Sequence, residues 1–94
     1  MAATDRKQQI DVYVRLDESE KGRELSFRIP DDVTQKDILD RGYAIDGNQV
    51  LIGVSAYVEQ GTGRVVTLAE ALRDLQQELV EWLGTTWGYT VVFK

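Results

Sequence analysis

Residues 67–84 read TLAEALRDLQQELVEWLG, and they contain the clearest helical pattern in the chain. Leucines recur along this stretch at the three- and four-residue spacing of an amphipathic helix, at Leu68, Leu72, Leu75, Leu79 and Leu83. Thr67 and Glu70 have the Thr-x-x-Glu spacing of a capping box, which predicts where the helix begins. Gly84 follows the last leucine and is expected to end the helix in a left-handed conformation. The stretch therefore predicts a long helix with one apolar face.

Two alternating segments near the start of the chain predict a β-hairpin. Apolar residues occupy every second position from 10 to 16 and again from 25 to 29. This period of two is typical of strands with one buried face. The charged segment 17–22 is expected to form the connecting loop, in which Gly22 supplies a positive φ. Pro30 has no N–H to donate and is expected to end the strand pairing.

A short helix is predicted at about residues 34–41. Thr34 is a suitable N-cap, because its hydroxyl can accept a hydrogen bond from the first turn. Val33 and Ile38 have the spacing of a hydrophobic staple around that cap. Gly42 is expected to end the helix.

Four further extended segments complete the predicted fold. They are a brief piece at 43–45, a long strand at 50–58, a short piece at 64–66 and a final strand at 87–93. The strand at 50–58 is apolar on both faces, which is typical of a central strand. The order β-β-α-β-(β)-α-β indicates an α+β fold with a single sheet of four or five strands. We expect both helices on one face, in a ferredoxin-like or ubiquitin-like arrangement.

The chain is expected to form one domain over residues 9–94, preceded by a flexible tail at 1–8. No signal peptide and no apolar run long enough to span a bilayer are apparent, so a cytoplasmic location is expected, in the source cell or an infected host.

The composition narrows the range of functions. The 94 residues contain 16 acidic and 11 basic side chains, which gives a net charge of −5. An acidic protein repels phosphate groups, so neither direct nucleic-acid binding nor membrane binding is expected. The chain has no histidine and no cysteine, which excludes a Ser-His-Asp triad and thiolate catalysis. No cofactor and no metal site are expected.

The long helix carries the principal candidate site. Glu70, Asp74, Glu78 and Glu81 fall on one side of it, away from the leucines, and we call them the acidic face. Like charges four residues apart destabilise a helix slightly, and Arg73 is the one basic residue of the helix. The face has two interpretations. It is either a solvated surface or a surface that docks on a basic partner protein.

Two other residue sets are weaker candidates. Tyr13, Arg15 and Arg28 are expected on the outward face of the hairpin, as a second contact patch or an ordinary cross-strand set. The final strand contains Trp87, Tyr89 and Phe93 on one face. These aromatic residues are expected to pack in the core. The alternative is that their strand pairs across a two-fold axis in a homodimer.

These observations favour a non-enzymatic protein-interaction module that binds a basic protein surface and blocks it. Small acidic phage inhibitors of nucleic-acid machinery, including anti-CRISPR proteins, are similar in size and charge, which is an analogy of class and not of motif. The alternative is a homo-oligomeric assembly protein that pairs through its C-terminal strand. A third hypothesis, a carboxylate-dependent enzyme, requires a pocket with a buried acid.

Overall fold

The computed structural model describes residues 9–17 and 21–94, so the tail predicted at 1–8 lies outside the described residues. Two helices and seven strands are present in this part of the chain. In chain order they are β1 (Gln9–Asp17), β2 (Gly22–Arg28), α1 (Gln35–Asp40), β3 (Ala44–Asp46), β4 (Gln49–Val54), β5 (Tyr57–Val58), β6 (Val65–Val66), α2 (Leu68–Leu79, continued by a π-helical segment Val80–Thr86) and β7 (Thr90–Phe93).

The strands form a mixed five-stranded sheet and a separate two-stranded hairpin. The order in the larger sheet is β3-β4-β2-β1-β7, and β5 pairs with β6 in the smaller one. β1 and β7 are parallel, whereas the other neighbours are antiparallel. The predicted α+β class is confirmed, but the strands are divided between two sheets and do not form a single one.

The prediction of a single strand at 50–58 is wrong, because β4 ends at Val54 and β5 begins at Tyr57. The neighbouring strand explains the break. β2 begins at Gly22, and its last pair with β4 joins Arg23 to Val54. Beyond that pair β4 has no strand of the larger sheet to bond with on this side, and the chain pairs with β6 in its place. The positive φ expected at Gly22 lies at Lys21, with φ of 53°.

The long helix does not end at Gly84 as predicted. It continues to Thr86, and the left-handed residue is Gly88, with φ of 83°. The amide of Gly88 donates to the Gly84 carbonyl at 2.8 Å, and that of Tyr89 donates to the Leu83 carbonyl at 2.9 Å. These bonds satisfy carbonyl groups that the end of a helix would otherwise leave unpaired. β7 consequently begins at Thr90, three residues later than the predicted strand.

Both helices contribute to the same buried cluster as the sheet. Ile38 of α1 and Leu79 and Leu83 of the long helix have no exposed surface. They belong to one cluster with strand residues that include Val12, Leu25, Phe27, Val50 and Ile52. The predicted capping boxes at Thr34 and Thr67 are both formed. Within the described residues, no helix is long and apolar enough to cross a membrane.

Candidate protein-interaction surface

The acidic face lies on the side of the long helix that does not carry the buried leucines. The helix is held in place by the buried leucines at 79 and 83 and by the capping box at its start. Its four carboxylates differ in what they contact. Glu70 and Glu78 are paired within the molecule, whereas Asp74 and Glu81 have no ion pair or hydrogen bond with a described residue.

Glu70 belongs to the helix N-terminus. Its backbone N–H donates to the Thr67 hydroxyl at 3.2 Å, and its carboxylate accepts from the Thr67 backbone N–H, also at 3.2 Å. Arg64 lies 3.4 Å from the same carboxylate. The hydrogen bond from the Thr67 backbone is the main cause that lowers the pKa of Glu70 below its usual range. Glu70 therefore has a structural role.

Glu78 belongs to a cluster that joins the helix to the segment after α1. Its carboxylate accepts from the Tyr43 hydroxyl at 3.0 Å and lies 3.5 Å from the Arg41 guanidinium. Arg41 stacks over the Trp82 ring at 4.5 Å from its centroid, a cation–π geometry. Burial raises the pKa of Tyr43 above its ordinary value, so its phenol stays protonated and donates. The Arg41 guanidinium thus compensates part of the negative charge of Glu78.

Asp74 and Glu81 carry the uncompensated charge of the acidic face. Both are exposed, and neither has an ion pair or hydrogen bond with any residue of the described ranges. Arg73, the basic residue of the helix itself, forms no ion pair within the same ranges. Arg41 and Arg64, which lie on other segments, reduce the repulsion among the four carboxylates of the acidic face. Sequence spacing identified the four acids but gave no signal for these two partners.

A groove runs between the acidic face and the edge of β4. It has a volume of about 320 Å³. One wall consists of residues 52–55 with Tyr57, and the other of Ala71, Asp74, Leu75 and Glu78 of α2. The sequence analysis did not predict this groove, because it depends on how the helix packs beside the sheet. It places the free carboxylate of Asp74 next to an apolar floor and a strand edge.

The second patch, formed by Tyr13, Arg15 and Arg28, lies on the face of the sheet opposite the long helix. Tyr13 pairs directly across from Ser26, and the Arg15 guanidinium lies 5.9 Å from the centre of the Tyr13 ring. Tyr13 and Arg28 line a cleft of about 300 Å³. The cleft lies beside residues 9–12 of β1, which pair with β7 on one side and precede the start of the β1–β2 ladder at Tyr13. All three predicted patch residues are exposed.

The C-terminal aromatic residues face inward. Trp87, Tyr89 and Phe93 are partly buried and pack against the core cluster. The Tyr89 hydroxyl donates to Asp32, and this hydrogen bond raises the pKa of Tyr89 to about 12. Of the three, only Phe93 lies within β7. Among the described strands β7 lies at the edge of the sheet, so its backbone and not these rings would be available to a second copy.

No aspartate or glutamate is buried among residues 9–17 and 21–94. A buried carboxyl group with a raised pKa is the feature on which the carboxylate-enzyme hypothesis depends. The described surface carries negative charge at the acidic face and a concave groove beside it.

Comparison with known proteins adds no family to this picture. The chain matches no protein-family model, and it has no significant similarity to a curated protein or to a solved structure.

Proposed function

We propose that this protein is a non-enzymatic interaction module that binds a basic surface of another protein through its acidic face and thereby blocks that surface. It acts in the cytoplasm of its source cell or of an infected host, without a cofactor and without binding nucleic acid or membrane itself. A protein surface that normally holds nucleic acid would present the required positive charge. The likeness to a ferredoxin-like or ubiquitin-like arrangement stays a prediction.

The observation that carries the proposal is the unequal pairing along the acidic face. Asp74 and Glu81 are exposed and unpaired among the described residues, although Arg41 and Arg64 neutralise their neighbours Glu78 and Glu70. Charges at a protein surface that lack an intramolecular partner gain most from a complementary surface, which accelerates encounter and fixes orientation. The helix that carries them packs against the core through the buried Leu79 and Leu83, so its backbone has a defined position on the sheet.

The test is a quantitative affinity capture from source lysate at low and high salt, with a charge-reversed variant. We would use Asp74→Lys/Glu81→Lys, because it preserves the cap formed by Glu70 and the cluster around Glu78. The wild type is expected to capture one basic protein at low salt and to release it at high salt, since exposed charges are screened. The variant is expected to lose this protein.

The control is Asp40→Lys/Asp46→Lys, which reverses two exposed acids outside α2 and brings the net charge to the same value. Asp40 forms only an exposed pair with Lys36, so its loss has little effect on stability. Retention of the partner by the control and loss by the acidic-face variant would support the proposal. Equal loss by both variants would show a general charge effect and overturn it.

A second candidate function is homo-oligomeric assembly through β7. The favouring observation is that β7 is the last strand of the sheet order, with β1 on one side and no strand of the described chain on the other. Strand pairing across a two-fold axis would continue the sheet. Sedimentation equilibrium tests this directly. A dimer that persists at high salt and is lost on replacing Val91 by proline would support assembly, because Lys94 bonds to β1 and the N–H of Val91 therefore points to the open side of β7. A monomer at all concentrations would exclude it.

A further inference from the structure

We propose that the groove between β4 and α2 binds an extended basic segment of the partner protein, and that this segment adds as a further strand to the part of β4 beyond Leu51, where the pairing with β3 ends. The inference rests on the proposed function, because it uses the same acidic face. It specifies the chemistry of the segment that the face recognises. Strand addition provides affinity through main-chain hydrogen bonds, and side-chain contacts provide selectivity.

The hydrogen-bond pattern shows which backbone groups of β4 are open. The amide of Ile29 donates to the carbonyl of Asn48 at 2.8 Å, on the side of β4 that faces β2. In an antiparallel ladder every second residue faces the same neighbour, so Gln49, Leu51 and Gly53 face β3. The pairing of β3 with β4 ends at Leu51. The N–H and C=O of Gly53 therefore point to a side where β3 supplies no partner.

The groove at this edge combines apolar contact with negative charge. Leu75 and Ala71 of α2 face Ile52 and Val54 of β4 across it, and Tyr57, of which 51% is exposed, stands at one end. Asp74 and Glu78 project from the helix at the same groove. A strand laid along β4 would therefore place one row of its side chains beside these two acids.

The repeat lengths of a helix and of a strand are similar. Asp74 and Glu78 are four residues apart, which is a rise of roughly 6 Å along a helix. Side chains on the same face of a strand are roughly 6.6 Å apart. Among the described residues Asp74 has no intramolecular partner, whereas Glu78 is already paired with Arg41, so a lysine or arginine of the added segment is expected to contact Asp74. A second copy of this chain suits the groove less well, because its net charge of −5 opposes the acidic wall.

The direct measurement is a nuclear magnetic resonance titration of the full chain with a defined probe. The probe is an acetylated and amidated hexapeptide of alternating lysine and valine. Shift changes are expected at residues 52–54 and 71–78. Amide exchange at Gly53 is expected to slow about tenfold or more at saturation, because its N–H gains a hydrogen-bond acceptor. Unchanged exchange at Gly53 in the saturated complex would overturn the proposal.

Two modified peptides test the strand pairing without altering the protein. One is N-methylated at its valines and the other at its lysines, so each has lost the N–H donors on one edge only. Because only one edge of an added strand bonds to β4, one form is expected to bind about tenfold more weakly and the other like the parent. The form that fails reports the strand direction. Equal binding by both forms would exclude strand addition.

Variants at Gly53 provide the matched test on the protein. Gly53→Pro removes the open N–H, and a Cβ at this position has no atom within 4 Å. Gly53→Ala keeps the N–H and is expected to bind the peptide like wild type, whereas Gly53→Pro is expected to bind about tenfold more weakly. Should the proline variant fail to fold, the N-methylated peptides decide the question.

The outcomes separate this inference from the proposed function. Normal binding by Gly53→Pro, together with loss in Asp74→Lys/Glu81→Lys, would overturn strand addition and leave the acidic face as the binding surface. Equal binding of a hexapeptide with glutamate in place of lysine would show that charge plays no part, and both proposals would fail.

Discussion

Gly22 and Gly53 lie in adjacent strands of one sheet, but the structure predicts opposite effects when each is replaced by alanine. A Cβ at Gly22 would lie 2.2 Å from the Val54 carbonyl oxygen and 3.2 Å from the Ser55 Cβ. The first contact is far below van der Waals distance and involves backbone, so no side-chain rotation can relieve it. A Cβ at Gly53 would meet nothing within 4 Å.

The expected cost of Gly22→Ala follows from these contacts. Inserting a methyl group into a packed site costs about 1–3 kcal/mol, and a clash with backbone belongs at the upper end of that range. Replacing glycine by alanine also lowers the conformational entropy of the unfolded chain, which stabilises the folded state and offsets about 0.4–1 kcal/mol of this cost. We therefore expect a net loss of about 2 kcal/mol in the free energy of unfolding. In a domain of this size each kcal/mol lowers Tm by about 4–8 °C.

Urea denaturation followed by tryptophan fluorescence measures both variants, since Trp82 and Trp87 are partly buried and pack against the core. Gly22→Ala is expected to lower the denaturation midpoint without a change in slope. Gly53→Ala is expected to equal the wild type or to exceed it by about 0.5 kcal/mol. Equal free energies of unfolding for the two variants would contradict the close approach of Gly22 in β2 to the Val54 carbonyl at the end of β4.

Three further predictions follow from the core, the helix cap and the C-terminal tyrosine. Leu79→Ala removes a fully buried side chain and is expected to cost about 2–5 kcal/mol in urea denaturation. Thr67→Ala is expected to cost about 1 kcal/mol and to raise the pKa of Glu70 only part of the way toward its ordinary value, because alanine loses the hydroxyl but keeps the backbone N–H that is the main cause of the lowered pKa; the carboxyl chemical shift measures it. Because the folded pKa of Glu70 is lowered, its contribution to stability is present above pH 4.5 and is lost as pH falls through the folded pKa. Asp32→Asn is expected to lower the pKa of Tyr89 from about 12 toward 10, measured by tyrosinate absorbance. The raised pKa means that this contact stabilises the wild type below pH 10 and is lost as pH rises toward 12.

The predictions that proved correct depend on neighbours within a few residues in the chain. The capping boxes at Thr34 and Thr67 are formed, and so are the helices that they begin. Most of the alternating apolar residues of the first hairpin also belong to the core cluster or pack against it, as do Leu72, Leu75, Leu79 and Leu83. The exception in the hairpin is Leu16, which is 64% exposed. Helix starts and periodic faces can be read from a sequence because hydrogen bonds and side-chain directions repeat over three or four residues.

The errors in the fold have nonlocal causes. The end of β4 at Val54 depends on where its neighbour β2 begins, and Gly22 is required there for a close approach that strand periodicity does not reveal. The helix passes through Gly84 and ends before Gly88, where the following residues turn to place β7 beside β1. A glycine in a sequence shows where the backbone can adopt a left-handed conformation. It does not show at which glycine the tertiary structure ends the helix.

The sequence by itself determined that four carboxylates share one side of the long helix, because helical geometry fixes the angle between positions. Only the tertiary structure decided which of them remain available. Arg64 and Arg41 reach Glu70 and Glu78 from other segments, so the unpaired charge within the described chain falls on Asp74 and Glu81. The groove beside them depends likewise on the distance between α2 and β4. Electrostatic pairing depends on distance in space, which spacing along the chain does not give.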